Sequence, residues 1–200
     1  YEIPKVARFR CVVYFQSGQL CAAFRSIPMK VPTIDEMRLD PVLKDISLGH
    51  RGMVLVTGIT GSGKTTTLAA MIQHINTTEA RRIISAEDPI EYRYNSQKCI
   101  ISQREVGVDV AGFAEALRSA LRADPDVILV GEMRDVETIR IAIKAAETGH
   151  LVFSTLHTHG AIHTIQRILG NFEQSEHDLL RDQLSLNLRA ALTQRLVKTA

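Results

Sequence analysis

The sequence predicts an α/β protein with a mostly parallel sheet covered on both faces, and three observations predict it. Short apolar runs rich in Val and Ile stand at residues 53–57, 82–87, 126–130 and 151–156, as strands buried on both faces should. Helical patterns at 65–76, 111–123, 136–147 and 160–168 alternate with them, the order that a crossover-connected parallel sheet requires. The first apolar run ends in a glycine-rich stretch that opens directly into the first helix. The 200 residues are 45% apolar and 23% charged, globular values that exclude a disordered chain.

Residues 100–105 add a further strand, and Ser175 with Asp178 makes a capping-box-like start to a final helix expected through about Leu196. Residues 1–27 differ in character. Two segments at 7–15 and 20–24, rich in β-branched and aromatic residues, flank Gln16-Ser17-Gly18-Gln19, a hairpin turn. A lone hairpin is marginal in water, so these strands are expected to complete a sheet begun before residue 1. Pro28 and Pro32 punctuate a linker at 28–50 with a short helix at 39–48, and the main domain occupies 51–200.

The bulk numbers exclude several function classes. Lys plus Arg is 24 against 22 for Asp plus Glu, a net charge of +2, which is no polyanion-binding bias. Aromatics are 5% with no Trp, a poor composition for a nucleic-acid stacking channel. Cys11, Cys21 and Cys99 cannot all pair and follow no metal-ligand spacing, as expected of a reduced, cytoplasmic compartment. No apolar run approaches the ~20 residues of a membrane span.

Gly58-Ile59-Thr60-Gly61-Ser62-Gly63-Lys64-Thr65 fits GxxxxGK[ST] in full, between an apolar strand and a helix, the context a phosphate-binding loop requires. Its glycines let backbone N–H groups converge on phosphate oxygens at a helix N-terminus. Gly58, Thr60, Gly61, Ser62, Gly63, Lys64, Thr65 and the following Thr66 are the candidate nucleotide-binding residues. Lys64 is expected to reach the β- and γ-phosphates and the Thr65 hydroxyl to ligate Mg²⁺. The expected ligand is a nucleoside triphosphate.

Ligands of open α/β sheets sit outside the carboxyl ends of the strands, so the polar residues that end each run belong together. They are Glu87, Asp88 and Glu91, then Glu132, then His157. Glu132 occupies the place of an acid that holds Mg²⁺ through water, with Gly131 before it instead of Asp. Glu91 is the preferred general base for an attacking water; Glu87 competes, and Pro89 keeps the two from stacking on one helix face. His157, His159 and His163 resemble a metal cluster but lack a completing Cys or Asp. His150 and His157 flank one strand seven residues apart, about 23 Å at ~3.3 Å per residue, so both cannot touch one γ-phosphate.

In combination, GITGSGKTT, EDPIEY, DPDVILVGEMRD and TGHLVFSTLHT, in that order, strongly resemble the secretion-ATPase superfamily. Within it they are most similar to PilT/PilU-like type IV pilus retraction ATPases and look like that family's Walker A, Asp box, Walker B and His box. The resemblance covers essentially all 200 residues, and SLNLRAALTQRLVKT looks closer to the PilU branch. It implies a RecA-like P-loop core at 51–200, truncated at its C-terminus, behind the last strands of a PAS-like domain at 1–27. It implies ATP and Mg²⁺ as ligands and a homo-hexamer at the cytoplasmic face of the inner membrane. Implied partners are the pilus inner-membrane platform and a paralogous retraction ATPase, not nucleic acid.

Carried over position by position, the resemblance makes Lys64 and Thr65 the Walker A residues, Glu91 the catalytic glutamate and Glu132 the Walker B glutamate. His150 and His157 become the His-box pair, and Arg10 and Arg25 resemble N-domain arginines that reach toward phosphates. The implied activity is ATP hydrolysis powering pilus retraction and twitching motility. The alternatives are an assembly or type II secretion ATPase, a RecA-type nucleic-acid translocase and a non-catalytic partner subunit. The missing Cys-rich zinc-binding element of assembly and secretion relatives favours retraction.

Overall fold

The computed structural model of the protein describes residues 2, 3 and 6–197. Its first sheet has three antiparallel strands in the order β1 (Glu2–Ile3), β2 (Ala7–Gln16) and β3 (Gln19–Ile27). The hairpin between β2 and β3 closes on the pair Gln16–Gln19. Ser17 and Gly18 both take positive φ, 51° and 76°, the left-handed pair that a two-residue hairpin turn needs to match the strand twist. Side chains alternate, so Phe9, Cys11, Val13 and Phe15 share one face with Leu20, Ala22 and Phe24. Arg10 lies directly opposite Arg25 on the other face.

The second sheet has six strands, all parallel: β4 (Gly52–Thr57), β5 (Arg82–Glu87), β6 (Ile100–Glu105), β7 (Val127–Val130), β8 (Leu151–Leu156) and β9 (Leu188–Thr193), in spatial order β6-β5-β7-β8-β4-β9. β4 and β8 are buried along their whole length, which is why their sequences are uncharged and mostly apolar instead of alternating apolar with exposed polar residues. The α/β fold with a mostly parallel sheet is the fold the sequence predicts. Six helices cover it: α1 (Val42–Ser47), α2 (Lys64–Thr78), α3 (Phe113–Ala120), α4 (Val136–Glu147), α5 (Ala161–Leu169) and α6 (His177–Asn187).

Two main cores result, one on each face, beside a smaller cluster of Ala86, Val110 and Ala116. Val54, Val56, Leu129 and Phe153 of the sheet meet Leu68, Met71, Ile72 and Ile75 of α2 and Leu43 of α1. Met53, Leu55, Ile128 and Val152 meet α3, α4 and α6 through Leu117, Ile139, Ile143, Leu180 and Leu184. Asn76 of α2 is fully buried and ties down the loop before β6. Its Nδ2 donates to Asn95 O at 2.9 Å and its Oδ1 accepts from the Gln97 N–H at 3.0 Å. Asp135 caps α4 by accepting from the Thr138 N–H at 2.8 Å. Among the described residues, no helix is long and apolar enough to cross a membrane.

The final helix is shorter than the sequence suggests. α6 stops at Asn187, and residues 188–193 leave the helix to pair with β4 as the edge strand β9. A register shift opposite Met53 and Val54 leaves Arg189 as the extra residue. The bulge puts Leu188 on the Met53 face, while Ala190 and Leu192 join the core on the Val54 face. Filling the open edge of β4 outweighs the helix propensity of this Leu- and Ala-rich segment.

Candidate nucleotide site

The carboxyl ends of β4, β5, β7 and β8 open into a cleft of about 370 Å³. Into it the loop after β4 and the first turn of α2 bring Thr60, Gly61, Gly63, Lys64, Thr65 and Thr66, and the end of β5 and the loop after it bring Glu87, Asp88, Pro89 and Glu91. Glu132 and Arg134 follow β7, and His157 follows β8. Arg25 of the first sheet closes the cleft from outside. Arg10 lies one step further, in an adjoining pocket of about 250 Å³ shared with Arg25, Thr66, Glu91 and Tyr92.

The glycine-rich loop wraps its own lysine. The Lys64 ammonium is buried and donates to Gly58 O and Ile59 O, both at 3.0 Å. Burial pushes its pKa down, while the charge of Glu132 pulls it back up. Gly63 precedes α2 at φ 92°, a left-handed position that leaves the first N–H groups of the helix directed at the cleft. Ser62 Oγ is buried against Gly58 with no hydrogen-bond partner among the described residues. The lysine and the helix N-terminus form a donor set that fits phosphate oxygens, whereas Gly58 and Ser62 do not line the cleft.

Across the cleft the Glu132 carboxylate is largely buried and held at both oxygens. Arg134 Nη2 lies 2.7 Å from Oε2, and His157 Nε2 lies 3.3 Å from Oε1. His157 Nδ1 is 3.5 Å from Lys64 Nζ, so one imidazole bridges lysine and carboxylate. The Nε2–H tautomer satisfies both contacts at once. The Glu132 contact raises the Arg134 pKa. Arg134 is a residue the sequence reasoning left unassigned, although it stands in the quoted GEMRD segment. Among the described residues, no three of His, Cys, Asp and Glu gather to hold a metal ion. Mg²⁺ fits this donor set only with phosphates supplying most ligands, beside the Thr65 hydroxyl and Glu132, as that ion prefers.

The two candidate bases differ in surroundings. Glu87 is buried, and its Oε1 accepts from Ser85 Oγ at 2.6 Å and from Gln103 Nε2 at 3.1 Å. Burial pushes its pKa up; the two hydrogen bonds work against that shift and the charges of Glu91 and Glu105 add to it. Glu91 is half-buried and lines both pockets. The raised folded-state pKa of Glu87 has a sign. Its contribution to stability is full below the unfolded value near 4.5 and is lost as pH rises through the folded value. Thermal melts from pH 4.5 upward should therefore show the Glu87→Gln variant gaining stability relative to the parent as pH rises.

His150 stands apart from the other site residues. It precedes β8, at the amino end of the sheet, with its Nδ1 2.9 Å from Ala145 O and 3.3 Å from Thr148 Oγ1. The length of one strand separates it from His157, and His150 does not line this cleft.

The chain matches the family described as type II/IV secretion system protein over residues 30–200. It is 54% identical over 198 residues to the type IV pilus retraction ATPase PilT of Pseudomonas aeruginosa, covering 99% of this chain and 58% of that protein. It is 44% identical over 194 residues to the type IV pilus ATPase PilU of the same organism, covering 97% and 51%. A solved structure of the pilus retraction motor PilT with bound ADP superposes with a TM-score of 0.96 at 49% identity, over 98% of this chain and 57% of that one. The chain thus spans little more than half the length of these relatives. With a complete phosphate loop facing the acidic ends of neighbouring parallel strands, it belongs to the type II/IV secretion system protein family and is PilT/PilU-like within it.

Proposed function

We propose that the protein is a motor ATPase that hydrolyses ATP to withdraw type IV pili. The observation behind this reading is Lys64, enclosed by its glycine loop and facing Glu132, His157 and the Glu87–Glu91 loop across one cleft. The PilT relative and the ADP-bound PilT structure support ATP as the nucleotide and retraction as the work.

The chemistry is in-line attack of water on the γ-phosphorus. A water oxygen bonds to phosphorus, the bond to the bridging oxygen breaks, and ADP and inorganic phosphate leave. Glu91 accepts the proton of the attacking water. Lys64 holds the β- and γ-phosphates, and Arg10 and Arg25 neutralise charge that develops on the equatorial oxygens. Their direct opposition across β2 and β3 places two like charges together, an unfavourable pair that an anion between them relieves. When bound, Mg²⁺ supplies further charge neutralisation at the phosphates, next to Thr65 and Glu132. His157 couples Glu132 to Lys64, so it senses whether the lysine points at the loop carbonyls or at phosphate.

The working unit is a homo-hexamer at the cytoplasmic face of the inner membrane, engaging the pilus platform beside a paralogous ATPase. Nucleotide held between the two sheets draws them together, and product release frees them. A deletion strain tests the direction of work. Surface pili without twitching are expected; a strain without pili indicates an assembly motor instead.

A further inference from the structure

Glu91 lies in the loop between β5 and β6, and both of its chain neighbours are held by β6. The Ile90 N–H donates to Glu105 Oε2 at 3.1 Å. Tyr92 O accepts from Gln103 Nε2 at 2.7 Å, and the Tyr94 N–H donates to Gln103 Oε1 at 3.0 Å. The same Gln103 Nε2 donates to Glu87 Oε1 at 3.1 Å. Residues 103 and 105 share one face of the strand because side chains alternate. Arg104, between them, faces the other way and donates to Ser119 Oγ at 2.8 Å.

The loop is also tied to the helix that follows the phosphate loop, since the Tyr92 hydroxyl reaches Thr66 Oγ1 of α2 at 3.3 Å. One amide thus links the edge strand, Glu87 and Tyr92 in a line that ends on the first turn of α2. Gln103 uses one amide N–H and its carbonyl on this loop and the other N–H on Glu87 at the end of β5, a full set of donors for a half-buried side chain. Backbone held at residues 90, 92 and 94 leaves the residue between the first two little freedom to move. A general base must stand within hydrogen-bond reach of its water, and a displacement of about 1 Å costs on the order of 100-fold in rate.

We propose that Gln103 is a positioning residue of this site, clamping the acid loop from the edge strand so that Glu91 faces the phosphates held by Lys64. The inference rests on Glu91 being the general base. It assigns to β6 a role in hydrolysis that none of its residues performs by touching nucleotide.

The test is a double-mutant cycle on the full-length protein, reading kcat from phosphate release and affinity from titration with a fluorescent ADP analogue. Gln103→Leu is expected to lower kcat by about 30- to 100-fold while ADP affinity stays within about threefold. In the Glu91→Gln background the same substitution should change kcat by less than about threefold, because the group it positions is already gone. Arg104→Ala, on the opposite face of the strand, should leave kcat at the parental value.

A parental kcat in Gln103→Leu overturns the inference. So does a further loss in the Glu91→Gln background that equals the loss in the parent, which marks a general structural role. If Glu91→Gln itself hydrolyses at the parental rate, the assignment of the base has failed, an outcome distinct from failure of the clamp alone. Should Gln103→Leu not fold, Gln103→Glu replaces it. That variant keeps the acceptor for Tyr94, loses the donor to Tyr92 and sets a second carboxylate beside Glu87. Its kcat should fall at pH 8 and recover toward the parental value as the pH is lowered and the carboxyl pair takes up a proton. A flat ratio to the parent across pH overturns the inference.

Discussion

Glu91→Gln is expected to bind ATP as the parent does and to hydrolyse it about 10²- to 10⁴-fold more slowly, the range over which a general base contributes. The amide keeps the size and the contacts of the side chain but cannot take a proton from water. Glu91 lines both the cleft and the pocket that holds Arg10 and Arg25, so a phosphate between Lys64 and the arginines brings its water to this carboxylate. Glu87 is the competing base, yet it is buried and its Oε1 is already engaged by Ser85 and Gln103. Burial also favours its protonated form, which cannot accept a proton. Glu87→Gln should accordingly slow phosphate release far less than Glu91→Gln. The reverse order at saturating ATP transfers the role to Glu87.

Gly58→Ala is expected to destabilise the fold by about 2–4 kcal/mol and to lower the melting temperature by about 5–15 °C. Gly58 has φ 144°, and a Cβ there would lie 2.4 Å from Gln194 O and 2.6 Å from Ser62 Oγ. The first of these is backbone that cannot easily retreat. The Gln194 N–H donates to Thr57 O at 2.8 Å, and its side-chain amide donates to Thr67 Oγ1 at 2.8 Å. Moving Gln194 therefore loosens the end of β9 and the first turn of α2 together, so nucleotide affinity should fall with stability. Gly61 is the control. At φ 78° it meets nothing within 4 Å, and Ala there bears only the cost of the left-handed conformation, about 1–2 kcal/mol. Equal melting temperatures for Gly58→Ala and Gly61→Ala would show that the Gln194 carbonyl does not crowd position 58.

The parallel sheet was legible because strands buried on both faces admit little besides Val, Ile, Leu and Ala. β7 (VILV) contains nothing else, and β4 (GMVLVT) and β8 (LVFSTL) add only Gly, Met, Phe and small hydroxyl residues, with no charge among them. β9 was not legible. Leu184, Leu188 and Ala191 recur at helical spacing, and only the unpaired edge of β4, a tertiary fact, pulls residues 188–193 out of the helix. The bulge at Arg189 that reassigns Leu188 and Ala190 to opposite cores is set by that pairing too.

The phosphate loop was legible for a covalent reason: all its groups lie within eight consecutive residues. The acids and His157 followed from strand direction, since each ends its strand on the same side of a parallel sheet. His150 shows the same rule from the other end. Strand length alone already separates it from His157, and the structure sets it beside Ala145 and Thr148. Arg134 and Gln103 escaped because their partners are remote or unpatterned. Gln103 sits in the half-polar strand IISQRE, where a glutamine reads as solvated until the loop of residues 90–94 is folded over it.

Under the proposed function this cleft holds the phosphates of ATP around Lys64, and titration of the full-length protein with ATP and Mg²⁺ decides whether it does. Isothermal calorimetry should give saturable binding for the parent and an affinity at least about 30-fold weaker for Lys64→Ala, the cost of removing one partner of a buried charge pair. An unchanged affinity in Lys64→Ala would place the nucleotide outside this cleft.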